Sequence, residues 1–143
     1  GAGGGGAGGF LYYNQKTLAA GTYSIVVGYG GFGMTSSQNA TNGGNSTFTG
    51  LTDAVGGGGG GGASSGANNQ AGGPGGSGGG GGNDGASGGA GTTNQGNSGG
   101  TATYSVNQTA GGGGEHRVLM EIMVVMATPK VQLSIIGQLE VEQ

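Results

Sequence analysis

The sequence predicts a mainly β and irregular fold with no long helix: a small antiparallel sheet, then packed polyglycine-II rods joined by polar turns. Three observations predict it. Gly supplies 44 of the 143 residues, against a usual share of about 7%. A clear period-two alternation, Thr22-Tyr23-Ser24-Ile25-Val26-Val27, sits between Gly21 and Gly28. Beyond it, pure glycine tracts at 56–62 and 78–82 are separated by short clusters of Asn, Asp, Ser and Thr.

Residues 1–9 are a glycine lead-in, and 10–55 is the part that reads as ordinary strands. Phe10-Leu11-Tyr12-Tyr13 is a short aromatic run, with Asn14-Gln15-Lys16 as a turn. The 22–27 strand places Tyr23, Ile25 and Val27 on one face. Two further strand candidates, 46–49 and 51–55, flank Gly50, which reads as a turn or bulge. Pairing these pieces gives one antiparallel sheet within 10–55. The aromatic residues of this part form either a miniature core or, at Tyr29 and Phe32 in Gly28-Tyr29-Gly30-Gly31-Phe32-Gly33, rings exposed for stacking on sugars or caging glycine rods.

Residues 56–114 form the glycine region proper. Hydrophobic residues make up 31% of the chain, with no Trp and no Cys. Fixing a backbone residue costs roughly 1–2 kcal/mol, most of all for Gly, so side-chain burial alone cannot order such a tract. A flexible linker is one solution. The other is the polyglycine-II rod: three residues per turn, about 3.1 Å rise, no internal hydrogen bonds. Every N–H and C=O then points outward and needs a partner. With hydrogen as the only side chain, neighbouring rods approach closely enough to supply one, helped by weak Cα–H contacts. Asn, Asp and Ser in the clusters suit turns between rods.

Residues 115–143 differ in composition, holding most of the charges and three of the four Met. Residues 118–127 form an apolar run, and 131–141 alternate like a strand. Met120, Met123 and Met126 each precede a residue whose codons begin with G (Glu121, Val124, Ala127). Because Met is encoded by ATG alone, all three junctions encode Gly in a shifted frame. We therefore expect 115–143 to be a frame-shifted continuation of the glycine region, with chance as the alternative; the gene sequence decides between them. Gly at position 1 points to a fragment or processed form, and no signal peptide is visible.

Several function classes lack their residues. Nucleic-acid binding needs a Lys/Arg footprint, and Lys+Arg number 3. No run approaches the roughly 20 apolar residues of a membrane span. GxGxxG patterns such as 28–33 lack the βαβ unit of a dinucleotide site, and no Gly-Lys pair completes a P-loop. His116 has no second His as metal partner. Asp53 and Asp84 read as turn or surface residues rather than catalytic carboxylates. Ser64, Ser77 and Ser98 have no activating base. No enzyme, cofactor or metal is expected. Asn39, Asn45 and Asn107 fit the N-glycosylation pattern, which matters only in a eukaryotic secretory host.

The order Gly8-Gly9-Phe10-Leu11, then Gly21-Thr22-Tyr23-Ser24-Ile25-Val26-Val27-Gly28, then Gly43-Gly44-Asn45-Ser46-Thr47-Phe48, then Leu51 and the tract 56–62 resembles the glycine-rich domain of phage and prophage tail proteins. The resemblance covers about residues 1–114; the tail departs from it. It implies a non-enzymatic module of a tail fibre, spike or related virion protein, outside the cytoplasm. Its partners would be a host cell-surface receptor or glycan and other tail-protein chains. In adhesins of similar composition, variable polar loops between rods contact the receptor. By position these are 64–70, 83–87 and 92–98, with 35–41 nearer the sheet. The residues implied are Ser64, Asn68, Asn69, Gln70, Asn83, Asp84, Thr92, Asn94, Gln95 and Asn97. Two other readings stay open: an extracellular surface or matrix protein, and an ice-binding protein of polyglycine rods. The ice-binding reading would want a flat, regularly repeating face, which these irregular clusters do not supply.

Overall fold

The alternation at 22–27 produces strand β1, Thr22–Val26, with Ile25 buried and Thr22 and Ser24 exposed. The computed structural model describes residues 1–33, 38–63, 70–83, 85–103 and 132–136. Strand β2, Thr47–Phe48, lies antiparallel to β1, with Ile25 opposite Phe48. Tyr23 stacks on Phe48 at a centroid distance of 5.4 Å. After β2 the chain turns at Gly50, whose φ of +81° favours a residue without Cβ. The Leu51 N–H closes that turn on the Phe48 carbonyl at 3.0 Å. Strand β3, Gln132–Ile136, pairs with the other edge of β1 in parallel, from Thr22 opposite Gln132 to Val26 opposite Ile136. The sheet order is β2-β1-β3.

This sheet differs from expectation in three ways. Its third strand is parallel and comes from the far end of the sequence, inside the 131–141 alternation. Residues 10–13 form no strand: the Phe10 N–H donates to the Gln95 carbonyl at 2.9 Å, and Tyr12 is exposed. Residues 51–55 form only a bridge, in which Ala54 and Ser46 exchange two hydrogen bonds of 2.9 Å. The aromatic set divides accordingly. Phe48 is buried and Tyr23 partly so, whereas Tyr12, Tyr29 and Phe32 are exposed.

Most of the described chain is neither helix nor sheet but packed rods, as expected for polyglycine II. Eight extended segments are present among the described residues: rods 1 (3–9), 2 (29–32), 3 (40–45), 4 (55–62), 5 (70–76), 6 (77–82), 7 (86–91) and 8 (97–102). Their hydrogen bonds repeat every third residue, the period of a threefold helix. In rod 4 the seven carbonyls 55–61 accept in strict rotation, from Gly9, Gly76, Gly43, Gly6, Gly73, Ala40 and Gly3, at 2.7–3.0 Å. The donors belong to rods 1, 5 and 3 in turn. In rod 6 the rotation is on the donor side. The N–H groups of 77–82 reach Ala7, Asn97, Gly73, Gly4, Gly100 and Gln70 at 2.8–2.9 Å, in rods 1, 8, 5, 1, 8 and 5.

The core of this bundle is backbone. Residues 58–62 and 75–82 are buried, and twelve of these thirteen positions are Gly, all but Ser77, so almost no side chain separates the rods. Buried apolar side chains are few among the described residues: Ile25, Phe48, Ala86 and Ala102. Hydrogen bonding therefore takes the place of the apolar core that the composition cannot supply.

Candidate functional site

The rods give the bundle two ends. Rods 4 and 6 are parallel, whereas rods 1, 3 and 5 run opposite to rod 4, as their pairings show. The end away from the sheet therefore gathers Gly1, Gln38, Gly62, Gln70, Asn83 and Ala86. The Gly1 ammonium donates to Asn83 Oδ1 at 2.7 Å, and the Gly82 N–H donates to the Gln70 carbonyl at 2.9 Å. The other end carries the sheet, residues 46–54 and the turn at 92–96.

The residues implied by the resemblance thus fall into two groups. Gln70 and Asn83 lie at the far end. Thr92, Asn94, Gln95 and Asn97 lie at the sheet end, on the opposite side of the bundle. Ser64, Asn68, Asn69 and Asp84 lie outside the described residues. Residues 38–41, expected nearer the sheet, stand at the far end instead. Rods 2 and 3 lie antiparallel, joined by Thr41 N–H to Phe32 O at 3.0 Å and Gly44 N–H to Tyr29 O at 2.9 Å.

At the sheet end the turn holds structure together. The Thr92 hydroxyl donates to the Gly75 carbonyl at 2.8 Å. Asn94 takes the left-handed conformation, φ 62°, which Asn tolerates. Gln95 is turned inward and only 5% exposed. Its Oε1 accepts from the Val55 N–H at 2.8 Å, and its Nε2 donates to the Asp53 carbonyl at 3.0 Å. Gln95→Ala is expected to orphan both groups, at roughly 1–3 kcal/mol each. A lowered urea midpoint would show it. Gln95→Glu should be similarly damaging, because a carboxylate cannot donate to Asp53.

A second set of side-chain amides was not singled out from the sequence. Asn39, Asn42 and Asn45 lie three residues apart in rod 3, which puts them on one line of a threefold helix. Their Oδ1 atoms accept from the N–H groups of Gly62, Gly59 and Gly56 at 2.9, 2.8 and 3.1 Å. Asn39 and Asn42 then donate through Nδ2 to the carbonyls of Ala71 and Pro74 in rod 5, at 3.0 and 2.8 Å. This ladder stands where a rod would otherwise be needed between rods 3 and 5. The i, i+3 spacing in Asn39-Ala40-Thr41-Asn42-Gly43-Gly44-Asn45 is the signal that reveals it. Asn39 and Asn45 are the two described residues of the glycosylation pattern; both are exposed, and both side chains are hydrogen-bonded to neighbouring rods.

Along the side of the bundle runs an open groove of about 790 Å³. Rod 1 lines it with Gly5 and Gly8, rod 3 with Gly43 and Gly44, and rod 4 along the whole tract 56–62. Tyr29 and Phe32 also line it, both largely exposed. The Tyr29 ring covers Gly44 closely, since a Cβ there would sit 3.2 Å from the ring. Tyr29 therefore cages a rod, while Phe32 leaves an apolar face open. Among the described residues no group of His, Cys, Asp and Glu could hold a metal ion, and no helix is long and apolar enough to cross a membrane.

The glycine-rich domain family matches residues 1–119 of this chain. The chain belongs to that family. No curated protein and no solved structure matches it. In this glycine-rich domain the matched span contains all eight rods, together with β1 and β2, while β3 lies beyond it.

Proposed function

We propose that this glycine-rich domain is a non-enzymatic structural and receptor-binding module of a phage tail fibre or similar virion protein. Loops at the rod ends attach to a receptor or glycan on the host surface, outside the cytoplasm, and other tail chains carry the module. The observation that carries this reading is the geometry of the far end. The rod ends that border 64–69 and 84, at Gly62, Gln70 and Asn83, gather at one end of the cross-linked bundle. Connections of this kind vary without disturbing the scaffold that positions them. The resemblance in residue order to phage tail domains supports the same reading.

Within this reading the far end is the attachment face. The sheet end, where Gln95 and Thr92 hold rods and strand region together, is the anchor. Exchanging 64–69 and 83–85, which lie outside the rods, for unrelated polar loops is expected to weaken binding of the purified chain to susceptible cells by at least about tenfold, or ~1.4 kcal/mol. The melting temperature should stay unchanged. A flow-cytometric binding curve read beside a thermal melt makes the test. Unaltered binding after both exchanges would remove the attachment role and leave a purely structural one.

A further inference from the structure

We infer that the groove between rods 1 and 3 is a docking site for a glycine-rich strand of another polypeptide chain, bound in polyglycine-II conformation as one more rod. The inference is independent of the proposed attachment function and concerns a different face.

Rod 4 carries the argument. A threefold rod directs its carbonyls along three lines and its N–H groups along three others. The carbonyl lines are filled by rods 1, 5 and 3. Of the N–H lines, the first holds Gly58 and Gly61, which donate to Ser77 and Gly80 of rod 6 at 2.9 Å; Gln95 Oε1 extends the same line to Val55. The second holds Gly56, Gly59 and Gly62, and the asparagine ladder receives all three. The third holds Gly57 and Gly60. Neither N–H has a partner among the described residues, although Gly60 is buried. Rods 1 and 3 flank this line, and both residues are among those lining the groove.

The chemistry of an occupant follows. Two N–H donors three residues apart in a rod are about 9 Å apart along it. That is the repeat at which another polyglycine-II strand presents carbonyls in one direction. A fully outward-facing pair of donors would be hydrated at little cost, but a buried N–H left unbonded costs free energy comparable to a lost hydrogen bond. Glycines of rods 1, 3 and 4 line the groove next to this donor line, so a strand without Cβ atoms can approach it most closely. A Cβ at Gly43 would stand 3.4 Å from the Gly57 nitrogen, so rod 3 flanks this donor line closely. No hydrogen bond joins rod 1 to rod 3 across the groove among the described residues. Gly5 and Gly8 offer a way to close the groove without harming the bundle. A Cβ there meets nothing nearer than the carbonyls of Gly58 at 3.7 Å and Val55 at 3.8 Å.

The test uses the full 15N-labelled chain and two probes, acetyl-heptaglycine amide and acetyl-heptaproline amide. The second shares the helix but carries rings and no N–H. Heptaglycine is expected to shift the Gly57 and Gly60 amide resonances saturably and slow their hydrogen exchange, with heptaproline inert. Gly8→Val and Gly5→Ala should each weaken the response, Gly8→Val by at least about tenfold in Kd, with the other amide resonances in place. Three results would overturn the inference: no saturable shift up to the solubility limit of heptaglycine, an equal response to heptaproline, or an unchanged response in both groove variants. Should Gly8→Val unfold the chain, Gly5→Ala decides by the same readout.

Discussion

Replacing Gly59 or Gly79 by Val is expected to unfold the rod bundle at a denaturant concentration far below that of the parent. A Cβ at Gly59 would overlap the Ala40 carbonyl oxygen, and one at Gly79 would overlap the carbonyl oxygen of Gly59. Both obstacles are backbone held by further rods, so neither can swing aside. Parting rods 3 and 4 at Gly59 breaks the bonds from Ala40 to Gly60, from Gly43 to Gly57 and from Gly59 to Asn42. At roughly 1–3 kcal/mol for each buried group left unsatisfied, the loss is several kcal/mol. That is a large part of the 5–15 kcal/mol that holds a typical domain. Gly30→Ala serves as the control, since a Cβ there meets nothing within 4 Å, and such surface changes usually stay within about 0.5 kcal/mol. Urea titrations of the three variants beside the parent make the comparison. Equal midpoints for Gly59→Val and Gly30→Ala would mean that the tracts are linkers, not packed rods.

The second large effect is expected from the asparagine ladder. Changing Asn39, Asn42 and Asn45 together to Ala removes the acceptors of three rod 4 N–H groups and the donors to Ala71 and Pro74. Five backbone groups lose their partners at once. Water can reach some of them, so the sum falls short of five full penalties. A loss of about 3–6 kcal/mol follows from 1–3 kcal/mol per group with part of it relieved by hydration. Asn42→Asp alone separates acceptor from donor, because it keeps the bond from Gly59 and sets a carboxylate against the Pro74 carbonyl. Amide exchange should then quicken along rods 4 and 5 before it does along rods 7 and 8. Uniform quickening throughout would show that the ladder has no local role.

How much of this was legible in the sequence follows from the range of each signal. Strand β1 was legible because alternation is local, as was the turn at Gly50. The rods were legible as rods because runs of hydrogen side chains leave few other ways to satisfy a buried backbone. Which rods touch was not legible, since one run of Gly reads like another. Nor was the parallel pairing of 132–136 with 22–26, which joins opposite ends of the sequence through backbone groups every residue carries. Of the loop residues, Gln95 looked like any polar turn residue; only the fold turns it inward onto Val55 and Asp53. Asn39, Asn42 and Asn45 carried a readable spacing, but it is a period of three, and the usual templates look for 2 or 3.6.

The rotation of hydrogen bonds around rod 4 sets a rule for how such a chain can change length. Each residue added to a rod turns everything after it by a third of a revolution. One extra glycine in 56–62 would aim the donors meant for rod 6 at the asparagines, and carbonyls meant for rod 1 at rod 5. Two would misdirect them the other way. Three restore every pairing, displaced along the axis by a single repeat of about 9 Å. The bundle thus behaves like a set of keyed shafts: it can be lengthened in whole triplets but jams at any other increment, while the connections between shafts have no such constraint.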